Sequence, residues 1–500
     1  MELTKENISY NKKAGEQYIP AYGECDINIP DTKPDSVAVI CEDAHVSVAS
    51  IECAGGKLNL ELEADCVVLY RGEDGRTYSV KTKHNFKTAV DCYCGDMDCT
   101  IIDEIKKVQI EAIMINSRKL GVRLSVGVDV KYFMREEMDY ISDCEDEHIE
   151  MHRKSHAVKI HDFCGVDRFG CKNTFEIPIG HPSIAEILKL DNRFICHETK
   201  SAGNKVLLKG ELIAKMLYMG EDGTINSLEN TYPVSEIVAL ENELDSEMPA
   251  NCSANIDKVY HITGQDEDGE SRLVDIETSI KVIVYQNKII KIDYITDMFS
   301  TKDDLELAEC SANFWSLALE NEEKVPMNMA MVLTGQPEHI HNVSVINKTL
   351  SMQIENGNLN IHGEFEVKAS YLTGGELDAV KQMVTLEKNI FIGEHEKVDL
   401  DCRPDGIAHN LNLAGELEIS FAAIIKMKAE KEEHFTYLED ANPMESCEIK
   451  ENRPYAMRVY YVQDDDCIWS IAKKYKVKQH DLIEENGEEL YAGQRILVSG

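Results

Sequence analysis

The chain has 500 residues and a formal net charge of −39, from 52 basic and 91 acidic side chains. A surface this negative repels phosphate backbones and anionic lipid, which disfavours nucleic acid and membranes as partners. Its length divides into roughly three or four domains at about 150 residues each, and no apolar run approaches the roughly 20 residues of a membrane span.

The start, Met1–Lys13, is polar and carries no export signal. The sixteen scattered cysteines form no framework and read as reduced cytosolic thiols rather than disulfides. Residues 1–19 are expected to be a polar leader, followed by a first module over 20–135. It begins with Ile29-Pro30-Asp31-Thr32-Lys33-Pro34-Asp35, where two prolines hold the chain extended. From Leu58 to Val68, apolar and polar residues alternate, the period of a strand with one buried face. That strand runs into Leu69-Tyr70-Arg71-Gly72-Glu73-Asp74-Gly75, where Asp-Gly signals a hairpin turn. Val122 to Val130 alternates again.

Residues 136–164 read as a charged linker, and a second module spans 165–290. The first module's motif returns there as Leu217-Tyr218-Met219-Gly220-Glu221-Asp222-Gly223, an offset of 148 residues from Tyr70 to Tyr218. Ile29-Pro30 and Pro34 return as Ile177-Pro178 and Pro182 at the same offset. A period that long is a whole domain rather than a solenoid unit, whose repeats run roughly 20–50 residues. A third, diverged module is expected over 305–430, where Leu359 to Ala369 leads to Tyr371 and Leu411 to Phe421 closes it. Leu62, Gly210 and Gly363 each stand an even eight residues before their tyrosine, so the three strands keep one inward phase. The charge run Lys428–Glu433 and Pro443 mark a linker over 431–456.

In residues 457–500 the period changes. A short strand, Arg458–Val462, precedes Ile468, Ile471, Ala472 and Tyr475 at helical spacing, with Asp466 as the expected N-cap. Leu482 and Ile483 suggest a second helix, and Ile496 and Val498 a closing strand. The expected fold class is therefore mainly β, in tandem β-rich modules, with a small α+β βααβ domain at the C-terminal end.

Two resemblances follow from these residues. Tyr460-x-Val462, Asp466-x-Ile468-Trp469-Ser470-Ile471-Ala472-x-x-Tyr475-x-Val477, Leu482, Asn486 and Gly493-Gln494-x-Ile496 resemble a LysM domain. Ile29 to Asp35, Leu69-Tyr70 and Asn116-Ser117-Arg118-Lys119 resemble the SPOCS domain, strongest in the first module. Tandem SPOCS modules with one C-terminal LysM resemble the SipL-like spore envelope and coat morphogenetic proteins. That resemblance implies a non-enzymatic scaffold without cofactor in the mother-cell cytoplasm, at the forespore surface. Its implied partners are a spore coat basement-layer ATPase of the SpoIVA type, reached through the LysM domain, and other spore coat proteins. The alternative is a wall or cortex protein that binds peptidoglycan or N-acetylglucosamine.

The common LysM first loop, Gly-Asp-Thr, reads Asp465-Asp466-Cys467 here, preceded by Asp464. Losing the glycine and the threonine hydroxyl removes a close backbone approach and a donor for sugar. The second loop region carries Glu484, Glu485, Glu488 and Glu489. The expected contact surface, for a polypeptide or a glycan, comprises Asp464, Asp465, Asp466 and Cys467 of the first loop and Ile468 and Trp469 of the first helix. Asn486, Leu490 and Tyr491 complete it. No metal is assigned. His148, His152 and His156 would share one face of a helix but read as a solvated linker, and Cys92, Cys94 and Cys99 lack paired C-x-x-C spacing. No phosphate loop, nucleophile elbow or His-Glu-x-x-His motif occurs, so no catalytic residue is assigned.

Overall fold

The computed structural model describes residues 1–92, 99–241, 243–245, 248–393, 397–412, 414–444 and 457–499, with His161 described in its backbone alone. Period-two alternation becomes strand throughout. The first unit holds β1 (Leu3–Asn28), β2 (Ser36–Ala54), β3 (Lys57–Gly72), β4 (Thr77–Asp91), β5 (Thr100–Asn116) and β6 (Lys119–Cys144). The second holds β7 (Ile149–Glu176), β8 (Ile184–Ala202), β9 (Lys205–Gly220), β10 (Ile225–Ala239), β11 (Ala250–Gly264) and β12 (Leu273–Ser300). The third holds β13 (Leu305–Val332), β14 (Pro337–Glu355), β15 (Asn358–Thr373), β16 (Glu376–Phe391), β17 (Lys397–Leu411) and β18 (Glu416–Pro443).

Each unit has two three-stranded antiparallel sheets of the same order: β1-β6-β5 with β2-β3-β4, then β7-β12-β11 with β8-β9-β10, then β13-β18-β17 with β14-β15-β16. In the first unit Ile19, Leu62 and Val126 belong to one buried cluster, so the two sheets share a core. Irregularities recur along with the order. Register shifts at Ser36/Ala38, Val39/Cys41 and Val48/Ser50 return at Ile184/Glu186, Ile187/Lys189 and Cys196/Glu198, each at the 148-residue offset. Bulges kink and twist a strand, so the same bends are built at the same places.

The repeated sequence motif has a physical role. Tyr70 and Tyr218 are fully buried, and their hydroxyls donate to the carbonyls of Pro34 (3.1 Å) and Pro182 (3.0 Å). Tyr371 reaches the same place differently, accepting from the Thr334 amide at 2.9 Å. Gly72 and Gly220 lie beneath the prolines: an added Cβ would sit 2.8 Å from Pro34 Cγ and 2.6 Å from Pro182 Cγ. Gly75 (φ +83°) and Gly223 (φ +80°) make the hairpin turns, in the left-handed region that favours glycine. The two SPOCS-like signatures of the first unit meet: Arg118 donates to the carbonyls of Ile29 (3.1 Å) and Lys33 (2.7 Å) and to Asp31 and Asp35. In the second unit Arg272 donates to the His181 carbonyl at 2.8 Å.

The first and last strands of every unit continue past the sandwich as a two-stranded ribbon. Register shifts at Ala14, Cys164 and Ala318 mark the departures. The ribbons converge on one apolar cluster that includes Tyr10, Tyr140, Ile292, Phe314, Phe435 and Tyr437. Phe314 stacks on Tyr10 (4.9 Å) and Phe435 (5.6 Å). Ion pairs also join the units: Lys189–Asp43 at 2.6 Å, Lys368–Glu42 at 3.1 Å and Lys13–Asp399 at 3.1 Å.

The structure corrects several sequence expectations, three of them through this convergence. The leader over 1–19 is instead the outer half of β1, paired with β6 from Leu3 onward. The linker over 136–164 is the end of β6, a turn and the start of β7. The linker over 431–456 is strand as far as Pro443, with Phe435, Leu438 and Ala441 buried; 445–456 lie outside the described residues. In all three, charges occupy the outer face of a ribbon whose sparse apolar residues find their core in other units. Leu411 to Phe421 is not one strand but the end of β17, a turn with Gly415 at φ +80° and the start of β18; Leu413 lies outside the described residues. The histidines are not helical either. His152 and His156 lie in β7, with His156 Nε2 2.7 Å from Glu433. Of the Cys92 cluster, Cys94, Asp96 and Asp98 fall outside the described residues.

Candidate functional site in the C-terminal domain

The last domain is β19 (Arg458–Tyr461), α1 (Ile468–Tyr475), α2 (Gln479–Asn486) and β20 (Arg495–Val498). Ile471, Ala472, Leu482, Ile496 and Val498 form its core. Helix α1 is capped by Cys467, not by Asp466: the Cys467 sulfur accepts from the Ser470 amide at 3.4 Å, and the Ser470 hydroxyl accepts from the Cys467 amide at 3.0 Å. Asp466 is engaged elsewhere. Its Oδ2 accepts from the Tyr460 hydroxyl (2.6 Å) and the Gln463 amide (2.8 Å), and these donors hold its carboxyl below the usual range. Asp466 thus ties the first loop back to β19.

The two loops lie side by side. The Val462 amide donates to the Gln494 carbonyl at 3.0 Å, and the Gly493 amide to the Val462 carbonyl at 2.7 Å. Gly493 has φ +80°. Asn486 is a clamp: its amide donates to the carbonyls of Leu482 (3.0 Å) and Leu497 (2.7 Å), while its oxygen accepts from the Leu497 amide (2.7 Å). Leu490 packs against the domain core. Around the paired loops, Asp464, Asp465, Glu488 and Glu489 are exposed. Tyr491 is 65% exposed, and its hydroxyl donates to Glu489 at 2.9 Å.

Trp469 faces the other way. Its Nε1 donates to Asp297 Oδ2 on β12 at 2.8 Å, and its ring meets Phe299 edge-on at 5.1 Å and His152 at 5.4 Å. Lys473 pairs with Asp297 at 2.5 Å, Lys476 with Asp304 at 2.6 Å, and Gln479 donates to Glu150 at 3.1 Å. Phe299 completes the small domain's own apolar cluster. The nine residues singled out in sequence therefore divide. Asp464, Asp465 and Tyr491 are exposed on the loop rim, with Cys467 exposed beside them; Asp466 and Asn486 hold the loops, and Ile468 and Leu490 fill the core edge. Trp469 leaves the candidate surface, because the chain's own second ribbon covers it. Asp297 and Phe299 escaped the sequence reading, and His152 was read there only as part of a linker: they lie in a different unit, and no local pattern links them to α1.

Comparison with protein families gives two matches. The family model described as SipL, SPOCS domain covers residues 183–263, from the start of β8 almost to the end of β11. The LysM domain model covers 460–499. Over residues 183–263 the chain is similar to the SipL SPOCS domain, and its C-terminal domain to LysM. The SipL match falls in the second unit, whereas the sequence motifs were strongest in the first. No curated protein and no solved structure matches. SPOCS and LysM are non-catalytic domain families. Together they point to a sporulation-related protein carrying a LysM of the peptidoglycan-binding kind. No helix among the described residues of this chain is long and apolar enough to cross a membrane.

Proposed function

We propose that this chain is a scaffold of spore envelope assembly, with SPOCS-type units at 3–144, 149–300 and 305–443. It works in the mother-cell cytoplasm and docks a basement-layer ATPase of the SpoIVA type at the forespore surface through the LysM loop rim. One observation carries the reading: the α1 face with Trp469 is covered by the β7–β12 ribbon, which leaves Asp464, Asp465, Glu488 and Glu489 around Tyr491 as the outward face. Such a rim favours a basic polypeptide, and rim charges act mainly on association rate and salt dependence. The test is capture of the purified ATPase by the full chain and by the Asp464→Asn, Asp465→Asn, Glu488→Gln, Glu489→Gln variant. The variant should retain its circular dichroism and lose most of the captured ATPase; undiminished capture overturns the reading.

A second reading, binding of peptidoglycan N-acetylglucosamine chains, is favoured by the exposed Tyr491 ring beside Gly493. It predicts sedimentation of the full chain with purified glycan, abolished by Tyr491→Ala.

A further inference from the structure

A cleft of about 390 Å³ opens where the first unit meets the second, between the β1–β2 connection, β4, β8 and β11. That volume lies within the roughly 300–1,000 Å³ of small-molecule sites. Ile27, Pro30, Val80 and Ile187 supply an apolar wall, and Lys33, Lys81 and His261 line the polar side. The Lys33 ammonium donates to the Ser79 carbonyl at 2.5 Å and to Glu186 Oε1 at 2.6 Å. Lys81 donates to the Ile187 carbonyl at 2.9 Å. An ammonium has three N–H donors, so both lysines keep hydrogens beyond those bonds. Among the described residues, Glu186 is the single carboxylate lining the cleft. Two lysines against one carboxylate make a cationic hollow in a chain of net charge −39.

Arg118 fixes the Lys33 backbone by donating to its carbonyl at 2.7 Å, and the Ser79 carbonyl and Glu186 position the ammonium. The cations are not a general feature of the repeat: 148 residues on, His181 stands in place of Lys33 and Glu229 in place of Lys81. Lys81 and His261 keep an exposed edge, and partial desolvation lowers the Lys81 ammonium below its ordinary range and, followed by the Lys81 charge, does the same to His261. A bound negative charge would relieve both.

We propose that this cleft binds a small organic anion, a carboxylate or phosphate group on a short apolar body, with its head between Lys33, Lys81 and His261. The overall negative charge of the chain excludes a long polyanion by the same electrostatics.

Trace acetylation of the full chain tests this, with labelling of each lysine read by mass spectrometry. The probes are glutarate, inorganic phosphate, and sodium chloride at matched ionic strength. At ~10 mM probe and a Kd of about 1 mM, Lys81 labelling falls about tenfold, while the exposed Lys57 is unchanged. Protection by glutarate alone assigns a carboxylate head, by phosphate alone a phosphate head, and by both the shared chemistry. Protection by neither, or equally by chloride, overturns the proposal. Lys81→Gln should abolish the heat of binding with an unchanged melting curve, and His261→Asn serves if that variant does not fold. Wild-type binding by the folded variant used also overturns the proposal.

Discussion

The Tyr218 hydroxyl, bonded to the Pro182 carbonyl from a fully buried ring, shows why one side chain recurs at strand ends. Tyr218→Phe leaves that carbonyl without its donor and should cost about 1 kcal/mol in urea unfolding. Gly220→Ala should cost more, about 1–3 kcal/mol, because the methyl must displace the Pro182 ring. His341, 4% exposed on β14, carries the clearest pH signature. Burial, with the Lys215, Lys189 and His339 charges, pushes its pKa down to about 3, whereas an unfolded histidine titrates near 6.5. Between those values the unfolded chain binds the additional proton, so stability is lost as pH falls from about 6.5 towards 3. His341→Gln should flatten the stability slope in that window by up to about 1.4 kcal/mol per pH unit, measured by urea midpoints from pH 7 to 4.

Ribbons and helices set the next scale. Each ribbon leaves its sandwich at a register shift, and the second ends against α1. The contact centres on Asp297, which accepts from Trp469 and pairs with Lys473. Hydrogen bonds to charged acceptors contribute about 1.5–3 kcal/mol each. Asp297→Ala should therefore undock the LysM domain without unfolding it. Hydrogen exchange should quicken in Ile468–Tyr475 and at the end of β12, while amides of Leu482 and Ile496 stay protected. Unchanged exchange in α1 would show that the ribbon does not hold it.

In the whole molecule, the three sandwiches are joined by a shared aromatic cluster and by ion pairs between units. Phe314, 1% exposed, stacks on rings from both neighbouring strands of that cluster. Phe314→Ala should cost about 3–5 kcal/mol and separate convergence of the ribbons from melting of the sandwiches, seen as two calorimetric transitions in place of one. A single transition at the wild-type temperature would mean that the cluster does not couple the units.

The sequence alone determined the mainly β class, the 148-residue repeat, the hairpin turns and the βααβ order of the last domain. All of these follow from patterns within one strand, one turn or one helix, where alternation, Asp-Gly and helical spacing act locally. Tertiary structure decided what periodicity could not carry. Residues 1–19 and 431–456 read as a polar leader and a linker because the few apolar residues there have no core in their own neighbourhood; for Leu3–Lys13 and Lys431–Pro443, convergence of three distant ribbons provides one. Of the candidate site, the acidic loop rim was legible in the residue types themselves. The direction Trp469 faces was not, since Asp297 and Phe299 are remote in sequence and only packing of the domain against the second ribbon brings them together.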